Sequence, residues 1–149
     1  MKKIAIASLI ALAAVSASAL EVGVTTAREY TGTNTNGMGI TLGQKFGKVG
    51  VTAGFERFTK EVNDQDRLSL TAGYDIAKFG PVTVTPKIGV AHLNNSGAVN
   101  GYALTVGAGA SVPLSKTVDL TVDARRQYGQ DRVNAFDGNT VTAGLKVKF

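Results

Sequence analysis

Apolar residues recur at every second position through most of this chain, in eight stretches separated by polar or glycine-containing breaks. In TVTAGLKVKF, residues 140–149, Val141, Ala143, Leu145, Val147 and Phe149 alternate with Thr142, Gly144, Lys146 and Lys148. The other stretches cover residues 20–30, 38–46, 49–58, 67–76, 82–93, 101–112 and 118–128. A period of two predicts strands with one apolar and one polar face. No run of 18 apolar residues follows residue 19, which excludes a membrane-spanning helix there. Eighteen glycines and many threonines and valines also favour strands and turns over helix.

The breaks alternate in length. Polar stretches near TGTNTNG, TKEVNDQD, NNSGAVN and GQDRVNAFDG alternate with short turns around Gly47 and Lys48, around Phe79, Gly80 and Pro81, and around Ser115 and Lys116. Long connections on one side and short ones on the other are the pattern of an outer-membrane barrel, with loops facing the medium and turns facing the periplasm. Both ends of the mature chain then fall on the turn side. Pro86 sits in the middle of the fifth stretch and cannot donate to a ladder. A closed barrel has no edge to hide it, so a bulge is expected there, or a strand broken in two.

Residues 1–19, MKKIAIASLIALAAVSASA, read as a cleaved signal peptide and residues 20–149 as one barrel domain. Lys2 and Lys3 form the basic end, residues 4–15 an apolar core short for a bilayer, and Ala17, Ser18 and Ala19 the cleavage pattern. An N-terminal anchor helix is the competing reading. The formal charge of +5 falls to +3 once Lys2 and Lys3 are removed. No basic run or aromatic platform suggests nucleic acid. The chain has no cysteine, which excludes disulfides and thiolate metal sites. No cofactor is expected.

Alternation alone does not separate a membrane barrel from a soluble ligand-binding barrel, which turns its apolar face inward. The polar face decides. It carries ten glycines, among them Gly23, Gly54, Gly107 and Gly109, and eight threonines. A water-exposed face has no reason to favour glycine, whereas a narrow eight-stranded lumen has little room for side chains. The same face carries six acids (Glu21, Glu29, Glu56, Asp75, Asp119, Asp123) and six bases (Lys45, Arg67, Lys87, Arg125, Lys146, Lys148). An enclosed core needs such a balance, because an unpaired buried charge costs about 3–5 kcal/mol. The aliphatic face is therefore assigned to lipid. Tyr30, Phe46, Phe55, Tyr74, Tyr102, Tyr128 and Phe149 lie toward the ends of stretches on that face, as partial aromatic girdles do.

These features resemble the small outer-membrane barrel class typified by the OmpA transmembrane domain and OmpX, across residues 20–149. The resemblance rests on the eight alternating stretches, the loop and turn asymmetry, and the ending Leu145-Lys146-Val147-Lys148-Phe149. It implies an all-β, eight-stranded antiparallel up-and-down transmembrane barrel in a Gram-negative outer membrane. The implied role is envelope integrity, surface interaction, or at most a narrow gated pore. Phe149 resembles the C-terminal signal read by the outer-membrane assembly machinery, with periplasmic chaperones as transient partners. The chain has no room for a peptidoglycan-binding domain, so a wall-anchoring role is not expected.

Four residues break the apolar face near the loop-side strand ends: Arg28, Arg57, His92 and Arg126. They form a candidate belt for lipopolysaccharide headgroups, since guanidinium groups grip phosphate bidentately. The competing reading is that long basic residues snorkel at any membrane interface. In the lumen, Glu56, Lys87, Asp123 and Arg125 are a candidate ion-pair network, read as a static plug or as a gate. A lipid A-modifying barrel enzyme is a less favoured alternative. His92, Leu93 and Asn94 lack the His-x-Ser spacing of a deacylase barrel, although Ser96 is near. A soluble periplasmic ligand-binding barrel is the remaining alternative. Asn34, Asn36, Asn94, Asn95, Asp131 and Asp137 read as turn formers, not metal ligands.

Overall fold

The computed structural model describes residues 20–31, 33–59, 64–95, 100–129 and 137–149. Residues 1–19, with their signal-peptide pattern, lie outside these, as do Ser96 and Asp131. The strands are β1 (Leu20–Thr31), β2 (Thr33–Phe46), β3 (Val49–Phe58), β4 (Gln65–Tyr74), β5 (Ala77–Phe79), β6 (Val82–Asn95), β7 (Asn100–Pro113), β8 (Val118–Gly129) and β9 (Gly138–Lys148). Neighbours pair antiparallel in chain order, and β9 returns to β1 from Glu21↔Lys148 to Tyr30↔Asn139. Both β4 and β5 pair with β6, so together they form one stave. The result is a closed, eight-stranded, up-and-down transmembrane-type barrel, the fold class read from the alternation.

The period of two sorts side chains by face. Val24, Ile40, Leu70, Ile88, Val106, Val122 and Leu145 point outward and are exposed, while Glu21, Glu29, Glu56, Arg67 and Asp119 point inward and are buried. A soluble apolar-in barrel would show the reverse. Glycine is required at the short turns, where Gly47 and Gly80 take φ of 62° and 60°.

Pro86 leaves its own strand unbroken: β6 is continuous and pairs Pro86 with Ala108 of β7. The interruption lies in the neighbouring stave. Gly73 pairs with Lys87 and Ala77 with Val84, so one extra residue stands between β4 and β5. Val84 accepts a hydrogen bond from Ile76 N–H at 3.1 Å, so the even-numbered backbone groups of this stretch face β4 and β5. The missing N–H of Pro86 therefore falls on the interrupted side, where no ladder bond is lost. The bulge is real but belongs to Ile76 and Ala77, opposite Val84.

Pairing also runs further than composition suggests. TGTNTNG reads as a loop, yet β1 and β2 stay paired up to Thr31↔Thr33. Ladder hydrogen bonds need no apolar side chains, so the sheet continues past the apolar band.

Candidate functional site

Strand parity delivers all twelve luminal charges to one enclosed column, where they pair in three tiers. In the outer tier Arg67 is fully buried. Its guanidinium donates to Glu29 at 3.0 Å, to Glu56 at 3.3 Å and to Thr140 at 3.3 Å, and lies 4.5 Å from the Phe58 ring centroid. Arg125 also pairs with Glu56, and Gln127 donates to Glu29 at 3.2 Å. Phe58 and Leu93, both fully buried, fill the space around them.

The middle tier is a single pair, Lys87 with Asp123. Their strands are separated by β7, where Lys87 faces Gly107 and Asp123 faces Gly109. The missing side chains on β7 let the ammonium reach across. In the inner tier Lys45 meets Asp75 at 2.5 Å, again across a glycine, Gly50. Asp75 also accepts from Thr85 at 2.7 Å. Lys146 reaches Glu21 at 3.0 Å and Lys148 reaches Asp119 at 2.7 Å. These last two cross: Lys146 is the ladder partner of Asp119 and Lys148 of Glu21. Long side chains span the diagonal of a ladder.

Two cavities separate the tiers. One of about 100 Å³ lies between Glu56 and Arg125 on one side and Lys87 and Asp123 on the other. A second of about 70 Å³ lies between Lys87 and Asp123 and the inner tier. Glu56, Lys87, Asp123 and Arg125 thus bound one cavity together. Phe58, Gln65, Gln127 and Thr140 are not singled out by sequence reasoning. The signal is available, because Phe58 shares the luminal parity of Glu56, but an uncharged side chain at a strand end carries nothing else to mark it as luminal.

On the outer face Arg28, Arg57, His92 and Arg126 stand at a common level. With about 3.3 Å per residue and a strand tilt of about 40°, the registers place them within about 4 Å of one another along the barrel axis. Tyr30, Tyr102 and Tyr128 stand just beyond them, while Phe46, Tyr74 and Phe149 lie at the other end. Phe55 belongs to neither girdle, since it sits one outward position below Arg57.

The four differ in what they touch. Arg57 grips Asp66 through both oxygens, at 2.7 and 3.0 Å. His92 packs edge-on against the Tyr102 ring, with centroids 4.9 Å apart. Arg28 lies 5.6 Å from the Tyr30 ring centroid and Arg126 5.3 Å from that of Tyr128. Each tyrosine is two residues beyond its arginine, so an R-x-Y spacing on one strand face makes the contact. Among the described residues no group of three His, Asp or Glu is placed to hold a metal ion.

Comparison with known proteins agrees on the fold. Neisserial surface protein A superposes with a TM-score of 0.71 at 16% identity, covering 90% of this chain and 98% of that one. The Yersinia pestis outer membrane protein Ail, in a phospholipid bilayer nanodisc, gives 0.57 at 16% identity, covering 89% and 100%. The outer membrane enzyme PagL gives 0.51 at 14%, covering 85% and 98%. At such identities the likeness is one of fold, shared by a catalyst and by surface proteins alike. No curated protein sequence matches significantly. A family described as YfaZ precursor matches residues 1–139, which takes in β1 to β8 and the start of β9, and the chain belongs to that family.

Proposed function

We propose that this chain is an integral outer-membrane protein with a structural, envelope-stabilising or surface-interacting role, and that its lumen is plugged by ion pairs. The observation that carries the reading is the pairing of all twelve luminal charges, with Arg67, Phe58 and Leu93 filling the outer end. Paired luminal charges hold one arrangement, and among the described residues none of the twelve is left unpaired to line an ion path. In this reading residues 1–19 are the cleaved export signal. Periplasmic chaperones carry the chain, and the assembly machinery meets the exposed ring of Phe149. Arg28, Arg57, His92 and Arg126 face the phosphorylated headgroups of lipopolysaccharide. A lone histidine packed on a tyrosine ring supports a non-catalytic role over lipid A modification.

A narrow gated path is the second reading. What favours it is that one ion pair, Lys87 with Asp123, stands between the two cavities. Membrane fractionation followed by planar-bilayer recording of the refolded protein tests both. The proposal expects detergent-dependent extraction, heat-modifiable gel mobility and no discrete conductance steps. Steps abolished by rearranging the Lys87–Asp123 pair would replace the plug with the gate. Release by osmotic shock without detergent would overturn the membrane location in favour of a soluble periplasmic barrel.

A further inference from the structure

The lipid-facing wall is not uniformly filled. On β1 and β9 the outward positions Thr26 and Ala143 are small and are ladder partners. The Thr26 hydroxyl folds back onto the wall, donating to the Ala143 carbonyl at 3.3 Å, so its polar group is satisfied and its methyl is left outward. Met38 and Phe55 rise on one side and Val24 and Leu145 toward the inner end, enclosing an apolar groove of about 600 Å³. The groove begins one outward position below Arg28 and runs toward the membrane centre for about 10 Å by strand register.

Its outer end is marked by charge. Arg126 stands two strands from Arg28, opposite Asn139 of β9 where Arg28 is opposite Val141, so the two backbone positions lie about 12 Å apart at about 4.8 Å per strand and about 3.3 Å per residue. Among the described residues neither of these two arginines makes an ion pair and each lies over a tyrosine ring, whereas Arg57 is already tied to Asp66. We infer that Arg28, Arg126 and the Thr26–Ala143 groove form one binding site for a lipopolysaccharide molecule, with an acyl chain in the groove and its two lipid A phosphates on the two arginines. The inference rests on the outer-membrane reading above and sharpens it from a ring of four cations to two cations over a groove. Two arginines rooted this far apart at one level suit a headgroup with two phosphates, where a single phosphodiester engages only one.

The test is native mass spectrometry of the refolded barrel in non-ionic micelles, titrated with diphosphoryl lipid A, monophosphoryl lipid A or phosphatidylglycerol. Heat-modifiable mobility is scored for every variant. The site predicts preference for the diphosphoryl form, with Arg28→Gln and Arg126→Gln each weakening retention about tenfold and Lys116→Gln, in an exposed turn at the other end of the barrel, leaving it unchanged. Ala143→Phe, or Thr26→Phe as a second way of filling the groove, lowers retention similarly. Val90→Phe on the opposite wall does not. Folded Ala143→Phe and Thr26→Phe barrels that retain lipid A like wild type overturn the site, as does equal retention of phosphatidylglycerol. A dimer lost on groove filling assigns the groove to a second copy and overturns it too. If wild type itself shows no heat-modifiable mobility, the outer-membrane reading fails instead, so the two failures are distinguishable.

Discussion

Gly109 is the ladder partner of Asp123, and the space its side chain would occupy is taken by the Lys87–Asp123 pair. A methyl group at Gly109 would overlap the Asp123 carboxylate and lie 3.0 Å from Nζ of Lys87. Gly109→Ala is therefore expected to destabilise the barrel by about 1–3 kcal/mol, as overpacking does. Gly50 is also luminal, but a methyl group there would meet nothing within 4 Å. Gly50→Ala should change stability by less than about 0.5 kcal/mol. Urea unfolding of both variants in lipid vesicles checks the contrast, and equal effects would mean that the pair does not sit against β7.

The two arginine–carboxylate clusters at the outer end differ in burial, and so should their mutational cost. Removing Arg67 leaves Glu29 and Glu56 without their shared buried cation. Arg67→Met should cost about 3–5 kcal/mol. The Arg57–Asp66 pair is exposed, and Arg57→Gln should cost less than about 1 kcal/mol. The same unfolding midpoints, converted with a common slope, decide it.

Pro86 should be nearly replaceable. Its absent N–H faces the interruption at Ile76, so Pro86→Val breaks no ladder bond and places the restored N–H beside the bulge, and it should shift stability by less than about 1 kcal/mol. Moving the proline two positions on, Ile88→Pro, removes a donor facing the intact β4 ladder at Ala72. In lipid no water replaces the lost bond, so that variant should be destabilised several-fold more. Folding yield into micelles reports both.

Depth should set the cost of charge on the outer face. Ile40 lies within the apolar band, and Ile40→Lys should cost about 2–4 kcal/mol, whereas Asn139→Lys at the outer rim should cost about 0–1 kcal/mol. A barrel bathed in water would tolerate both equally.

Much of this is legible in the residues. Parity alone places Glu56, Arg67 and Lys87 in the lumen and Leu145 outside, because strand side chains alternate without exception where no bulge intervenes. Which carboxylate each base meets is not legible. Lys146 and Lys148 cross to each other's ladder neighbours, and Lys87 reaches over a glycine strand, so pairing depends on side-chain reach as well as register. Sequence reasoning puts the bulge on the wrong strand because a proline marks where a donor is missing, not which neighbour gives way. The paired segment 33–37 reads as loop because its polarity reports distance from the apolar band, not loss of pairing. The groove is invisible for a similar reason: Thr26 and Ala143 are far apart in the chain and become neighbours only through barrel closure.

Aliphatic groups face acyl chains while the charges face inward, and the absence of cysteine makes this inversion directly measurable. Single cysteines placed in turn from Val141 to Val147, spin-labelled in vesicles, report accessibility to oxygen in lipid and to a water-soluble nickel complex. A period of two is expected, with labels at Val141, Ala143, Leu145 and Val147 relaxed strongly by oxygen and little by nickel, and the intervening labels shielded from oxygen. Strong nickel accessibility at Ala143 and Leu145, with oxygen excluded, would contradict it.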